Sequence, residues 1–140
     1  MTTVESKIVS IKRIDEDIYK VLSNFQNFSP IAQQAQLENW QAGEDWCEFD
    51  AQGIKGAGLR IIDKEPNKTI KITGNDKIPF EFHIWIQLKM VAPYDTCMKI
   101  TLKANLNMML KMMVGKKLQS GMDTLADQIA AAFNGSPTTK

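Results

Sequence analysis

Between residues 37 and 107 the sequence alternates between apolar and polar residues, and turn residues interrupt it at short intervals. The clearest stretch runs from Phe80 to Met90, where apolar residues recur at every second position. Alternation with a period of two is typical of strands that bury one face. The turn spacing indicates hairpins and not parallel crossovers, so five or six successive antiparallel strands are predicted. They cover residues 45–51, 59–64, 69–73, 80–91 and 96–106, with a shorter run around Trp40 and a turn at 53–58.

The segment before this region predicts one strand and two short helices. Residues 3–14 are rich in β-branched residues, which favours a single long first strand. Acidic residues from Asp15 onward then mark a helix start, because negative charge is stabilising at a helix N-terminus. Apolar residues follow at helical spacing from Ile18. Ser29 and Pro30 start a second short helix, since proline is favoured in the first helical turn.

The C-terminal segment predicts one long helix. Asn107 caps its start, and Asn134 with Gly135 ends it after Phe133. Such a helix is roughly 40 Å long, enough to cross the whole apolar face of the sheet. Two internal glycines, Gly115 and Gly121, are interpreted as sites of close packing, with room above a cavity as the alternative. The apolar stripe comprises Leu110, Met113, Val114, Leu118, Met122, Leu125 and Ile129.

Size and composition restrict the class of protein. A chain of 140 residues with 44% hydrophobic residues is typical of one globular domain. We therefore expect a single domain over residues 1–135 and a flexible tail over 136–140. The net charge of +1 creates no strong field, so nucleic-acid binding is not expected.

The predicted location is the cytoplasm. The two cysteines, Cys47 and Cys97, lie far apart and form no CxxC pair, which argues against a disulfide scaffold or a zinc site. The N-terminus has no apolar signal segment, and no apolar run is long enough for stable membrane insertion. No metal or cofactor is expected, because ligating residues do not cluster and the glycine and lysines at 115–117 lack the rest of a phosphate loop.

The predicted order of elements defines an α+β helix-grip plan, in which a long terminal helix covers a strongly curved antiparallel sheet. This plan resembles the START-like superfamily, also called SRPBCC, which includes polyketide cyclases, lipid-transfer domains and pollen-allergen-type carriers. The resemblance extends from Val4 to Phe133. The matching features are the segment 11–25, the helix at Ser29 and Pro30, Trp40, the strand segment 45–49 and the last helix.

The resemblance implies a cavity between the last helix and the concave sheet, where a hydrophobic small molecule would bind. Alternate side chains of each strand face the concave side of the sheet, and these are the side chains that would line the cavity. Asp63 continues the parity of Leu59 and Ile61 and is predicted as a polar group at the cavity mouth. The simpler interpretation is that the selected side chains only pack against one another. The predicted set is Trp40, Phe49, Ile61, Ile72, Phe82, Ile84, Ile86, Met98, Ile100, Leu102, Leu118 and Met122.

Three functions stay open at this point. The first is binding or carriage of a lipid, sterol or polyketide-like molecule without catalysis. The second is a cyclase- or dehydratase-type enzyme, which would need a polar group at the cavity wall to move a proton. Neither His83, placed on the outer face, nor Cys47, which has no histidine beside it, is expected to supply one.

The third function is an interaction module, because methionines crowd the start of the last helix beyond what one inward stripe can bury. A homodimer contact is predicted there. Lysines at 111, 116 and 117 would also suit a membrane surface. The methionines concerned are Met108, Met109, Met112 and Met113.

Overall fold

The computed structural model describes residues 1–51 and 53–135, apart from the side chains of Met109, Leu110, Met113 and Val114. The predicted tail at 136–140 lies outside the described residues, and so do those four side chains of the predicted stripe and methionine cluster. In chain order the elements are β1 (Thr2–Glu5), β2 (Val9–Ile11), α1 (Asp15–Leu22), a 3₁₀ turn (Phe25–Phe28), α2 (Ser29–Gln34), β3 (Glu38–Ala42), β4 (Trp46–Ala51), β5 (Ile54–Glu65), β6 (Thr69–Gly74), β7 (Phe82–Ala92), β8 (Asp95–Ala104) and α3 (Met108–Phe133).

The strands form one antiparallel sheet of eight strands. Its order is β1-β8-β7-β6-β5-β4-β3, and β2 also pairs with β8. The strands from β3 to β8 follow one another as hairpins, which confirms the antiparallel prediction. The sheet is strongly curved but not closed, and α3 packs across its concave face. Register shifts interrupt four of these strand pairs, and such bulges bend and twist a sheet.

The prediction of one long first strand is wrong, because the chain forms β1 and β2 with a bulge between them. Glu5 pairs with Thr101, but Val9 pairs with Met98, so the register moves by one residue. The cause lies at Ser6. Its hydroxyl replaces a backbone carbonyl by accepting the Ile100 N–H at 2.9 Å, and its own N–H donates to the Ile100 carbonyl at 2.8 Å.

The predicted turn at 53–58 is also wrong, since β5 already begins at Ile54. Ala51 pairs directly with Ile54, and Gly53 has a φ of 83° that suits the tight turn. Gly56, with a φ of 72°, lies inside the strand and donates its N–H to the Asp50 carboxylate at 2.8 Å. The glycines that suggested a long loop therefore serve a short hairpin and a bulge.

Helix α3 is fastened to the sheet from Gln119 onward, where the Gln119 side-chain amide donates to the Glu5 carbonyl at 2.8 Å. The Asp123 carboxylate accepts the Lys7 N–H at 2.7 Å, next to the bulge between β1 and β2. Beyond the last turn, the Asn134 side chain accepts the Lys12 N–H at 2.7 Å and donates to the Ser10 carbonyl at 3.0 Å. The side chains of α3 that are buried against the sheet are Met122, Ala126, Ile129 and Ala130.

Close packing at the two helix glycines is not found. Apart from the nearby backbone of the helix itself, a Cβ added at Gly115 or Gly121 would meet no atom of the described residues within 4 Å. Among the residues described, no helix is both long enough and apolar enough to span a membrane.

Different segments lie at the two ends of the sheet, and we call these ends the closed end and the open end. The closed end comprises the turns at 43–45, 66–68 and 93–94 together with α1. The open end comprises the turn at Gly53, the β6–β7 connection at 75–81 and the β8–α3 connection at 105–107.

Candidate functional site

An apolar cavity lies between the concave sheet, α3 and the short helices, and it has two lobes. The inner lobe has a volume of about 150 Å³. The 3₁₀ turn and α2 form one wall, the second half of α3 forms another, and strands form the floor. Its lining comprises Phe25, Phe28, Ile31, Ala32, Leu37, Trp40, Cys47, Phe49, Leu59, Ile72, Ile84, Ile86, Ile100, Leu125 and Ile129.

The outer lobe has a volume of about 370 Å³ and faces the open end. Phe49, Leu59 and Ile84 line both lobes, so these three side chains form the wall between them. The two lobes therefore adjoin each other across these side chains, with the outer lobe at the open end. The remaining lining of the outer lobe is Ala51, Ile54, Ala57, Ile78, Phe80, Phe82, Leu102, Leu118 and Met122.

Aromatic rings shape the walls of both lobes. The rings of Trp40 and Phe49 stack with centroids 6.2 Å apart and an interplanar angle of 23°. Phe80 and Phe82 form a tilted pair with centroids 5.6 Å apart at the outer lobe. Stacked and tilted pairs are the favourable arrangements of aromatic rings, so these walls are well defined.

The structure places most of the predicted lining residues along this cavity. The exceptions are Ile61 and Met98, which are buried in the core and line neither lobe. Sequence parity missed the side chains that the short helices contribute, such as Phe25 and Ile31. The helical spacing from Ile18 to Phe25 showed that an apolar face exists, but not that it covers the cavity. Ligand binding by these residues stays a prediction.

Asp63 is not at the cavity mouth. The register between β5 and β6 shifts between Ile61 and Asp63, so the alternation of faces reverses there. Asp63 is exposed and pairs with Lys71 of β6 on the outer face. Lys64 takes the inward parity instead, and its ammonium lies 2.7 Å from the Asp45 carboxylate at the closed end. A bulge cannot be read from alternation alone, which explains the wrong placement.

Cys47 is the titratable group in the lining of the inner lobe. Burial raises the pKa of its thiol to about 11, with a smaller contribution from the nearby Glu48 charge. The thiol is therefore protonated at neutral pH and acts as an apolar surface. Cys47 and Cys97 are both free.

The outer face of the sheet is polar and separate from the cavity. Trp85 lies there between two lysines, with the Lys71 ammonium 5.3 Å and the Lys103 ammonium 5.6 Å from its ring centroid. His83 is half-buried beside Trp85, with ring centroids 5.9 Å apart. The lysines cover the tryptophan, as expected for a surface ring on a sheet. Within the described residues, no three His, Cys, Asp or Glu side chains converge on a metal position.

Comparison with known proteins matches this geometry at the level of fold. No family model matches the sequence, and no curated protein does. The Aha1 dimer from Colwellia psychrerythraea is similar with a TM-score of 0.69 and 17% identity, over 98% of this chain and 99% of that chain. A START superfamily protein from Mycobacterium smegmatis gives 0.61 and 16%, over 91% and 96%. The chain has the START-like helix-grip fold.

Another START-like neighbour is an enzyme. Norcoclaurine synthase from Thalictrum flavum has a TM-score of 0.73 and 11% identity, covering 94% of this chain and 85% of that chain. Identities this low establish the shared fold alone, and the predicted helix-grip architecture is thereby confirmed.

Proposed function

We propose that this protein binds a hydrophobic small molecule in the two-lobed cavity between α3 and the concave sheet. The observation that carries the proposal is the lining itself. Among the residues that the structure describes, every side chain that lines the two lobes is apolar or, at Cys47, a protonated thiol. The START-like fold supports the proposal, because it places a long helix over a curved sheet that side chains do not fill.

The mechanism of binding is desolvation. Apolar surface moved from water into the cavity gains about 25 cal/mol per Å², or about 0.8 kcal/mol per methylene group. Ordering the ligand offsets part of this gain. The outer lobe of about 370 Å³ lies within the size range of small-molecule sites, roughly 300 to 1,000 Å³. An elongated or ring-fused apolar molecule, such as a lipid, sterol or polyketide-like compound, suits the two adjoining apolar lobes.

Carriage of the ligand, without chemical change, is the favoured role. An enzyme of the cyclase type needs a group at the cavity wall that gains or loses a proton near neutral pH. The Cys47 thiol, with a pKa of about 11, does not meet this need. The two free cysteines favour a reducing compartment, so we place this role in the cytoplasm.

Native mass spectrometry of freshly purified protein tests the proposal, together with titration of a fluorescent fatty acid. We expect a co-purifying apolar mass or saturable binding of the probe. Ile84→Phe fills the boundary between the lobes and should weaken probe binding at least tenfold. Ile62→Phe is the matched control, because Ile62 is 42% exposed and lies outside both lobes. Ligand-free protein that also fails to bind the probe would contradict the proposal.

A further inference from the structure

The first turns of α3 expose large apolar side chains beside the open end. Met108 is 78% exposed and Met112 is 82% exposed. They are four residues apart and so lie on one face of the helix. Exposed apolar groups next to an apolar opening are a common mark of an interaction surface.

Lysines lie near these methionines, and the first turns of α3 contain no acidic residue. Lys111, Lys116 and Lys117 are all exposed, and the first acidic residue of α3 is Asp123. A helix N-terminus favours negative charge, so this arrangement opposes the local electrostatics of the helix. α1, by contrast, begins with the acidic residues at 15–17. Sequences depart from such a local preference, here that of a helix N-terminus for negative charge, where a surface binds a partner.

The open end places this helix segment next to the outer lobe. Phe82 pairs with Ala104, so the β6–β7 connection and the start of α3 lie at the same edge of the sheet. Leu118, the residue after Lys117, and Met122, about one turn further on, line the outer lobe. The connections at this end and α3 up to Leu118 together contain more lysines than acidic residues. The acidic residues there are Asp76 and Glu81. The opening is therefore flanked by apolar and positively charged groups.

We propose that the open end docks reversibly on the surface of a bilayer that carries anionic headgroups. In this arrangement Met108 and Met112 enter the interface, the three lysines contact headgroups, and the outer lobe faces the membrane. This inference rests on the proposed function, since a bilayer is where an apolar ligand would enter or leave the cavity. The occupant follows from charge complementarity, because a neutral or cationic surface would not satisfy the lysines.

Vesicle co-sedimentation of the full chain tests the docking. Vesicles of equal parts phosphatidylcholine and phosphatidylglycerol should bind the protein, phosphatidylcholine alone should bind it far less, and high salt should release it. Replacing the three lysines by glutamine should weaken binding about a hundredfold, from about 1 kcal/mol per lysine near the surface. The matched control replaces Lys12, Lys68 and Lys89, which are exposed at the closed end.

A second pair of variants tests the methionines. Met108→Ser with Met112→Ser should weaken vesicle binding at least tenfold. Met90→Ser with Val91→Ser should leave it unchanged, although these closed-end residues are also exposed, at 46% and 55%. Equal losses in the open-end and closed-end variants would overturn the docking.

Two further outcomes separate this inference from the proposed function. Fatty-acid probe binding without any vesicle binding would overturn the docking alone. Vesicle binding by a protein that binds no probe would overturn the proposed function alone. Sedimentation velocity without vesicles adds a third arm: a dimer that the methionine variants dissociate, with no vesicle binding, would assign the surface to a second copy of this chain and overturn the docking.

Discussion

Hydrogen bonds are present at both ends of the sheet, but at the closed end they join the turns to the helical segments, whereas the open end also carries exposed apolar and basic side chains. The Phe25 N–H donates to the Glu44 carbonyl at 2.9 Å, and the Thr96 hydroxyl donates to the Arg13 carbonyl at 2.9 Å. Lys64 links β5 to Asp45 in the β3–β4 turn. The outer lobe faces the open end, away from these bonds.

Helices α1 and α3 show the same contrast. α1 begins with acids, as the helix dipole favours, and buries Ile18 and Leu22. α3 begins with exposed methionines and lysines and buries its side chains only from Met122 onward, as far as they are described. From this comparison we infer that side chains at the closed end contribute more to stability, and the proposed recognition surface lies at the open end.

The largest expected effect is a loss of core packing at the closed end. Ile18→Ala removes a side chain that is 0% exposed and should lower the free energy of unfolding by about 2 to 5 kcal/mol. Leu118→Ala removes a half-buried side chain at the outer lobe and should cost about 1 kcal/mol or less. Urea denaturation measures both. Equal losses would remove the proposed difference between the ends.

The next effect concerns the anchor of α3. Asn134→Ala removes two hydrogen bonds to backbone groups of Ser10 and Lys12 and should lower the free energy of unfolding by about 1 to 2 kcal/mol. Lys117→Ala, on the exposed first half of the helix, should change stability by no more than about 0.5 kcal/mol. Thermal denaturation compares them. A cost at Lys117 that matched the cost at Asn134 would mean that the segment of α3 before Gln119 is also anchored.

A smaller, stabilising effect is expected at a helix glycine. Gly121→Ala should raise the free energy of unfolding by about 0.5 to 1 kcal/mol, because the added methyl group meets no atom within 4 Å and alanine favours the helix. Gly58→Ala is the informative contrast. Its Cβ would lie 2.9 Å from the Cys47 carbonyl oxygen, so it should destabilise. A destabilised Gly121→Ala would indicate packing against that position.

The smallest effect is the pH dependence of two hairpins, one at each end. A hydrogen bond from Asn39 lowers the pKa of Asp50 at the open end, and one from Ser10 lowers the pKa of Asp95 at the closed end. Both carboxylates therefore contribute stability above their ordinary pKa of 3.8 and lose it as the pH falls through the lowered value. In Asp50→Asn and Asp95→Asn, the melting temperature should depend less steeply on pH in this acidic range. An unchanged slope in either variant would contradict the assignment for that hairpin.

The sequence predicts the fold well because long periodic patterns dominate it. The alternation in β7 and β8 and the spacing from Leu118 to Ile129 identified which faces are buried. Two of the errors involve single residues that break a pattern. Ser6 inserts a bulge into the first strand, and the shift after Ile61 reverses the face on which Asp63 lies.

Only the part of the site that lies on strands could be predicted, because there the alternation shows which side chains face inward. Parity selects inward residues such as Ile84, but it does not tell a cavity wall from a filled core, as Ile61 and Met98 show. Which helix covers which strand is set by tertiary packing. The contribution of Phe25 and Ile31 to the inner lobe therefore becomes visible only in the structure.

Methyl NMR of isoleucine-labelled protein during titration with a fatty alcohol such as decanol tests the central idea, that a guest occupies the interior reached from the open end. Ile72, Ile84 and Ile86 line the cavity, whereas Ile8 and Ile62 are 66% and 42% exposed. Saturable shifts at the isoleucines that line the two lobes, with none at Ile8 and Ile62, are the predicted result. Shifts confined to Ile8 and Ile62, or the absence of any saturable shift, would contradict it.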